Sequence, residues 1–345
     1  MTVNETARRL DFKIILDGAD ISDDINRRLI SCTFTDNEED KSDDLTLTID
    51  DREGFYIKNA LELKGASLQV IAIQKNWTAA GSERVLDCGI FAVDTIDFAD
   101  LPAVVSIKGT SLPYSGSVRT ATTTRAWENI TLSAIARQIA NKAGLTLMYE
   151  SDSNPLYNRR EQIQQSDIIF LRGLCKSAGI SLKATSKILV LFDEEKYENK
   201  AAITTITRGT SDIKSARFSM KTGDVSYGKC HVSYTNPVTG KTIEYAYTPR
   251  DYNPENDTQI LEVNEKVKDR EEARKLAMKR LRQKNKAENE ANFSLVGDVR
   301  LAAGSTINVS GYGQFDGKYI IETATHSFTG GYTTELKLRK VLEGY

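Results

Sequence analysis

The sequence predicts a mixed, mainly β protein (α+β) in which two strand-rich arms flank a small α/β domain. Short alternating apolar runs separated by turns fill residues 9–111 and return after residue 201. Between them, Ile135–Leu147 and Phe170–Leu182 share one pattern: an amphipathic helix, an Ala-Gly pair and an alternating apolar run. At 345 residues the chain is also too long for one ordinary core. We therefore expect three domains.

The first domain is expected at residues 1–115. Between Leu45 and Ile49 apolar residues alternate with threonines, which predicts a strand with one buried and one solvated face. Asp17-Gly18 is typical of a tight hairpin turn. A run rich in Ser, Thr and Gly at 111–125 indicates the connection to the next domain. The predicted strands of this arm are 12–16, 29–34, 45–49, 68–73, 88–93 and 104–108.

The second domain, residues 116–200, contains the repeated helix–strand unit. Gly144 supplies the left-handed residue that ends the first helix, and Asn129 or Thr131 is expected to cap its start. Ser166 is the expected cap of the second helix. The apolar run 188–192 predicts a buried strand that closes the unit.

The third domain, residues 201–345, is again strand-rich, with no clear residue-by-residue repeat of the first. One long helix is predicted at 264–287, with apolar residues at helical spacing. Asn236–Gly240 predicts a hairpin loop. The predicted strands are 202–206, 213–219, 227–234, 242–247, 292–296, 306–310, 318–323 and 332–338.

The long helix is the only strongly basic element of the sequence. Its cations suggest a contact surface for an acidic partner or a nucleic acid. The alternative is a solvated helix with acid–base pairs three or four residues apart, such as Lys266 with Asp269 or Glu271 with Lys275. It lacks the aromatic residues that nucleic-acid grooves interleave with cations. The candidate partner-contact residues are Arg270, Arg274, Lys275 and Arg282.

Composition argues against several classes of protein. Lys and Arg number 46 and Asp and Glu 48, so no global positive field exists to hold nucleic acid. No apolar run approaches a membrane-spanning length, and residues 1–6 lack the features of a signal peptide, so we expect synthesis in the cytoplasm. The four cysteines are scattered and are expected to be free, buried thiols.

The sequence shows no motif for catalysis, cofactor binding or metal binding. Neither a Gly-X-Ser-X-Gly elbow nor a phosphate-binding loop occurs, and His231 and His326 are the only imidazoles. The acidic runs 36–44 and 50–53 invite comparison with paired catalytic carboxylates or a calcium site. They lack the ligand spacing of a calcium loop, so we expect strand-flanking solvated loops.

The tyrosines leave a binding function open. Four lie in predicted strands of the second arm: Tyr227, Tyr234, Tyr245 and Tyr247. A carbohydrate-binding face would need such rings exposed together, whereas a barrel or an interface uses them equally well.

The order of motifs resembles the late-control D-type baseplate hub proteins of contractile-tailed phages. In the first arm, the resemblance lies in Ile15-Leu-Asp-Gly-Ala-Asp-Ile-Ser22, Ser42-Asp-Asp-Leu-Thr-Leu-Thr-Ile-Asp-Asp51 and Gly89-Ile-Phe-Ala-Val-Asp-Thr-Ile96. In the middle, it lies in Trp127 before Thr131-Leu-Ser-Ala-Ile-Ala136, Ala143-Gly-Leu145 and Gln165-Ser-Asp-Ile-Ile-Phe-Leu171. The family is similar to the amino-terminal hub part of VgrG spikes of type VI secretion.

This resemblance implies two tail-tube-like antiparallel β-barrel domains flanking the small domain, assembled as a homotrimer. Three copies would present six barrels to a six-fold tail tube and three-fold symmetry to a spike. The implied partners are the tail tube protein, the spike protein and other baseplate proteins, without cofactors and without stable nucleic-acid binding. The implied location is the virion tail baseplate or a phage-tail-like particle.

Two alternative functions remain. One is a tail-associated cell-wall hydrolase acting through carboxylates in 36–53, and the other is a host-surface glycan-binding protein.

Overall fold

The computed structural model describes residues 7–344 except 40, 59–62, 64, 78, 112–120, 186, 210–211, 224, 238, 251–258 and 343. The protein is mainly β, with a mixed middle region between two arms. The expected domain boundary at residue 115, most of the connection 111–125 and one residue of the hairpin loop 236–240 lie outside the described residues.

The first arm contains all six predicted strands, paired antiparallel. Asp17 and Gly18 have φ values of 46° and 86°, as a hairpin turn with two left-handed residues requires. A short helix after this turn was not predicted, because its polar sequence carries only one buried apolar residue, Ile25. The elements are β1 Arg9–Leu16, β2 Ala19–Asp20, α1 Ser22–Arg28, β3 Leu29–Asn37, β4 Asp44–Asp50, α2 Phe55–Lys58, β5 Ser67–Lys75, β6 Glu83–Ala99 and β7 Val104–Thr110.

The middle region confirms the repeated helix–glycine–strand unit. Gly144 and Gly179 end the two helices with φ values of 70° and 64°. One strand leads into each helix, and these two strands, residues 122–131 and 156–166, pair as an antiparallel ribbon. The sequence did not predict this ribbon because both strands are largely polar. The elements are β8 Thr122–Thr131, α3 Leu132–Ala143, β9 Thr146–Glu150, β10 Leu156–Ser166, α4 Asp167–Ala178, β11 Ser181–Ala184, β12 Ile188–Phe192 and α5 Glu194–Glu198.

The two helices of this unit are capped differently. Thr131 accepts a hydrogen bond from the amide of Ala134, at 3.4 Å, as an N-cap does. Ser166 occupies the N-cap position of α4, but its hydroxyl makes no hydrogen bond with the described residues. The next residue, Asp167, is fully buried and bound by Arg125 at 2.9 Å and Lys142 at 2.8 Å. An ion pair to α3 and β8 therefore anchors the start of α4.

The second arm contains the predicted strands and one that was missed, β17. The long helix begins at residue 270, not at 264, because Asp269 caps it by accepting from the amide of Glu272 at 2.8 Å. Residues 260–263, just before the predicted helix, form the missed strand β17, which pairs in parallel with residues 229–232. The elements are β13 Thr205–Thr207, β14 Ile213–Met220, β15 Lys229–Thr235, β16 Thr242–Tyr247, β17 Ile260–Val263, α6 Arg270–Asn285, β18 Asn289–Val296, β19 Thr306–Ser310, β20 Gly317–Ser327 and β21 Thr333–Lys340.

Thirteen strands of the two arms form one continuous sheet. Its main path runs β14-β18-β21-β20-β3-β4-β7-β6-β5-β1-β2, and β19 and β13 extend from β20. The middle region has its own three-stranded sheet, β11-β12-β9, and its own apolar core. A further sheet, β16-β15-β17, packs against α6 around Ala273, Ala277 and Leu281. The arms are therefore fused through strand pairing.

All four cysteines are free and buried, as predicted. Burial raises the pKa of Cys32 to about 12, which keeps this thiol protonated and unreactive. No helix among the described residues combines the length and apolar character that a membrane crossing requires.

Candidate functional site

The two arms repeat one strand order. In the first arm neighbouring strands follow the order β3-β4-β7-β6-β5, and in the second β14-β18-β21-β20-β19. When the five strands of each set are numbered as they occur along the chain, both sets have the same spatial order: first, second, fifth, fourth, third. Every one of these pairings is antiparallel. The sequence alone did not show this repeat.

Two bulges of the first arm recur at matching places in the second, although a third, at Cys88 in β6 opposite β5, has no counterpart between β19 and β20. The first strand of each repeat carries an extra residue opposite the second strand, Ile30 in β3 and Lys214 in β14. The fourth strand carries one opposite the fifth, Asp94 in β6 and Glu322 in β20. Bulges bend and twist a strand locally. Because they fall at matching places, the two arms can be aligned residue by residue.

The arms join where β3 pairs antiparallel with the last five residues of β20. His326 is fully buried at this junction and stacks on Phe34 with ring centroids 6.0 Å apart. Its Nε2 donates to the carbonyl of Leu301 at 3.1 Å, so Nδ1 accepts from the hydroxyl of Tyr332 at 2.7 Å. Burial lowers the pKa of His326 to about 4, so the ring is neutral near pH 7.

A buried set of charged side chains lies where the first arm, the middle region and the second arm meet. At its centre Arg339 in β21 is 1% exposed. Its guanidinium donates to Glu198 and, at 2.8 Å, to Glu194, both in α5. Glu38, which follows β3, lies 3.9 Å from the same guanidinium. One arginine thus links all three parts of the chain.

Lysines continue this network on two sides. Lys286, just after α6, binds Glu39 and, at 3.0 Å, Glu194. Lys183 in β11 binds Asp36 at 2.7 Å and lies 3.6 Å from Asp43. We call the whole set the junction cluster; its members are Asp36, Glu38, Glu39, Asp43, Lys183, Glu194, Glu198, Arg282, Lys286, Glu322, Lys337 and Arg339.

The expectation of solvated acidic loops at 36–44 and 50–53 is wrong for several of their carboxylates, although Lys41, Arg52 and Glu53 are exposed as expected. Glu38, Asp43 and Asp51 are 4%, 7% and 1% exposed. The Asp51 carboxylate accepts from the amides of Tyr56 and Ile57, each at 2.9 Å, and so fixes the start of α2. Cations from distant segments lie near Glu38 and Asp43, and nearby backbone amides bind Asp43 and Asp51. Local composition reveals neither kind of contact.

The junction cluster holds more carboxylates than cations, and its pKa values reflect this. Burial raises the pKa of Glu38 to about 8, and Arg339 only partly offsets it. Burial also raises the pKa of Asp43, to about 6, against the attraction of Lys183. For Glu194 the effect of burial is outweighed by Arg339 and Lys286, which lower its pKa to about 2. The cluster therefore holds a bound proton near neutral pH.

Because the folded protein holds this proton, we expect the free energy of unfolding to fall as the pH rises from 6.5 to 8. Folded Glu38, with a pKa near 8, keeps a proton that unfolded Glu38 has lost above its ordinary value of 4.5. Stability decreases with pH wherever the folded state binds more protons. His326 opposes this trend mainly below 6.5, its ordinary value, because there the unfolded state holds the extra proton.

We expect a loss of roughly 2 kcal/mol over this window, at about 1.4 kcal/mol per pH unit for one proton. Urea unfolding at pH 6.5 and pH 8, at one protein concentration, measures it. Glu38→Gln should remove most of the slope, because the amide does not titrate. An equal slope in the wild type and in Glu38→Gln would show that the proton resides elsewhere.

The structure separates the four candidate partner-contact residues. Arg270 and Lys275 are exposed on α6, with Arg270 lying 5.7 Å from the ring centroid of Tyr245. Arg274 is partly exposed and binds Glu271 at 2.8 Å. Arg282 lies near the other end of α6, pairs with Glu198 in the junction cluster and is 16% exposed. The three residues in the first turns of α6 are therefore accessible to solvent, and Arg282 is far less so.

The tyrosines considered for glycan binding do not form an exposed face. Tyr227, Tyr234, Tyr245 and Tyr247 are half-buried around the core between α6 and its sheet. Among the described residues, no group of three His, Cys, Asp or Glu side chains is arranged to hold a metal ion.

Comparison with known proteins identifies the family. Residues 116–332 match the model of the phage tail baseplate hub (GPD) family. A probable baseplate hub protein of Escherichia phage 186 is 30% identical over 183 residues, which cover 52% of this chain and 44% of that protein. The match thus spans less than half the length of that relative.

Two solved structures share the fold along nearly the whole chain. A tail protein from Neisseria meningitidis MC58 matches with a TM-score of 0.69 at 13% identity, covering 96% of both chains. The c3393 protein of Escherichia coli, a component of the type VI secretion system, matches with a TM-score of 0.57 at 12% identity, covering 92% of this chain and 75% of that one. Since the family model matches more than half of the sequence, the chain belongs to the phage tail baseplate hub (GPD) family.

Proposed function

We propose that this chain is the non-catalytic central hub of a contractile phage tail or phage-tail-like particle. Three copies form a homotrimer with pseudo-six-fold symmetry that connects the tail tube to the central spike. The arms, residues 1–115 and 201–345, act as two tube-like β-barrel domains, and residues 116–200 act as the spacer domain between them.

The repeat of strand order carries this proposal. One chain contains the same five-strand order twice, with two bulges in matching places, and β3 and β20 join the two units. Three such chains supply six similar units. A ring of these units matches a six-fold tube on one face, while the three identical chains keep a three-fold axis for a spike.

The start of α6 is proposed as a contact for an acidic baseplate partner. Arg270, Arg274 and Lys275 lie in its first two turns and are accessible to solvent, and the buried side of the helix is held by its own sheet. Arg282 holds the helix to α5 and is not free for a partner. Charge at the start of α6 would influence the rate and orientation of docking more than the final affinity.

Several features favour a structural role over an enzymatic one. The two acidic segments that could have supplied catalytic carboxylates are used in internal contacts: Asp43 accepts from the amide of Asn37 at 2.9 Å, and Asp50 pairs with Arg52. Zymography on peptidoglycan tests the hydrolase alternative. Clearing that disappears in Asp43→Asn or Asp50→Asn would overturn the non-catalytic assignment.

The mass of the purified assembly tests the proposed trimer. We expect native mass spectrometry to give three times the 38.4 kDa chain mass. Co-expression with the tube and spike proteins of the same particle should yield a complex that keeps three hub chains. A chain that stays monomeric at high concentration and in the presence of both partners would contradict the proposal.

A further inference from the structure

We infer that β14 of one copy pairs antiparallel with the last residues of β6 in a second copy, in the register that β3 makes with β20 inside one chain. This inference rests on the proposed function, because it names the contact between hub subunits. The reason is that the two arms are repeats. Within the chain, the first strand of the first arm (β3) pairs with the fourth strand of the second arm (β20). The reciprocal junction, between the first strand of the second arm (β14) and the fourth strand of the first (β6), would be made between two copies.

The strands needed for the second junction are at open edges of the sheet. Within the part of the chain that is described, β14 pairs only with β18. Residues 95–99 of β6 pair with β7, whereas β5 extends along β6 only as far as Ala92. The corresponding side of β20, beyond the end of β19, is the one that β3 occupies. The second copy would fill the same place on β6.

The internal junction fixes the expected register. Phe34 pairs with His326 and Thr35 with Thr325. Strands β3 and β14 align through their shared bulge, so Phe34 corresponds to Phe218 and Thr35 to Ser219. Strands β6 and β20 align in the same way, so His326 corresponds to Phe98 and Thr325 to Asp97. The predicted pairs between copies are Ile96–Met220, Asp97–Ser219, Phe98–Phe218 and Ala99–Arg217.

The exposed apolar side chains lie at the positions this register requires. Phe98 is 42% exposed, although its counterpart in the other arm, His326, is 0% exposed under β3. Met220 is 49% exposed and would lie beside Ile96. Side chains of directly opposed residues share a face of the sheet. One strand pairing would thus cover both Phe98 and Met220.

The edge of the main sheet at β1, at the far end of the path from β14, is protected against pairing with another strand. The side-chain amide of Asn26 in α1 donates to the carbonyl of Phe12 at 2.7 Å and accepts from its amide at 3.2 Å. Ser22 accepts from the amide of Ile14 at 2.9 Å. These side chains occupy the backbone groups of β1 that another strand would need, as native proteins do to prevent unwanted edge pairing.

Disulfide trapping tests the register. The double variant Asp97→Cys with Ser219→Cys places two thiols on directly opposed residues of the predicted ladder, within the roughly 7 Å Cα separation that a disulfide allows. The native cysteines are all buried, so background cross-linking should be low. We expect most chains to run as linked oligomers on a non-reducing gel after mild oxidation.

A register-shifted pair provides the control. Ala99→Cys with Ser219→Cys moves one thiol two residues along β6 and should behave as the wild type does. A trimeric mass with no cross-link in the Asp97/Ser219 variant would overturn the β6–β14 contact while leaving the hub function intact. Equal cross-linking of both variants would also reject this register. A monomer under all conditions would reject both the contact and the trimer.

A surface substitution tests the apolar part of the contact without disturbing the fold. Phe98→Asp should leave a folded monomer with unchanged circular dichroism, because the side chain lies at the surface of the isolated chain. Val85→Asp is the matched control, since Val85 lies in β6 and is 56% exposed outside the predicted contact. An oligomer that survives Phe98→Asp as well as Val85→Asp would contradict the inference.

Discussion

Replacement of Arg339 by methionine should lower the free energy of unfolding by about 3–5 kcal/mol, the range measured when one partner is removed from a buried ion pair. Methionine fills similar space but removes the Arg339 guanidinium, so Glu194 keeps only Lys286, and Glu198 only Arg282, of the cations that pair with them among the described residues. Glu198 is 1% exposed, so water cannot replace the lost hydrogen bonds. The destabilisation should shrink at acidic pH, where protonation removes the uncompensated charges.

Chemical denaturation at fixed protein concentration measures this effect, because assembly would otherwise contribute to the apparent stability. Arg52→Met is the control: Arg52 also pairs with an aspartate, Asp50, but its side chain is 80% exposed. Exposed pairs contribute roughly 0–1 kcal/mol. Equal losses in the two variants would show that the junction cluster does not hold the three regions together.

Replacement of Leu174 by aspartate should destabilise the middle region by about 4 kcal/mol or more. Leu174 is 7% exposed in the core between α4, α3 and their sheet. The substitution removes a buried side chain and places a carboxylate in this apolar core. The expected result is a loss of folded protein.

The matched control lies on the same helix. Ile169 is 55% exposed, so Ile169→Asp should change stability by less than about 0.5 kcal/mol. Thermal unfolding and limited proteolysis of both variants measure the difference. A stable, assembling Leu174→Asp protein would mean that the buried face of α4 has been misassigned.

Much of the fold follows from local sequence patterns. Alternation predicted nearly all strands of the two arms, and the Ala-Gly pairs at Gly144 and Gly179 predicted both helix ends. The polar strands β8 and β10 were not predicted because they form a ribbon with little apolar alternation. The start of α6 was misplaced because the helical spacing extends back to Val267, which is buried but precedes the cap at Asp269.

The candidate site was largely invisible to the same reasoning. Arg339 and Glu198 are 141 positions apart in the sequence, and their burial depends on how the arms close around α5. The repeat of the two arms was also hidden, since His326 and Phe98 occupy equivalent positions without chemical likeness. The strand pairing and the matching bulges therefore show the repeat of the two arms, whereas the side chains at these positions do not.

The two arms differ most at one point of their common plan, between the first and second strands. There the first arm has residues 38–43, whereas the second has residues 221–288, which fold as β15, β16, β17 and α6. Lys286 from the long insertion binds Glu39 from the short one, so the two meet inside one chain. In the proposed ring, every second unit would carry the long insertion. The strands would then keep the sixfold spacing of the tube, while the insertions would mark three evenly spaced positions in the ring.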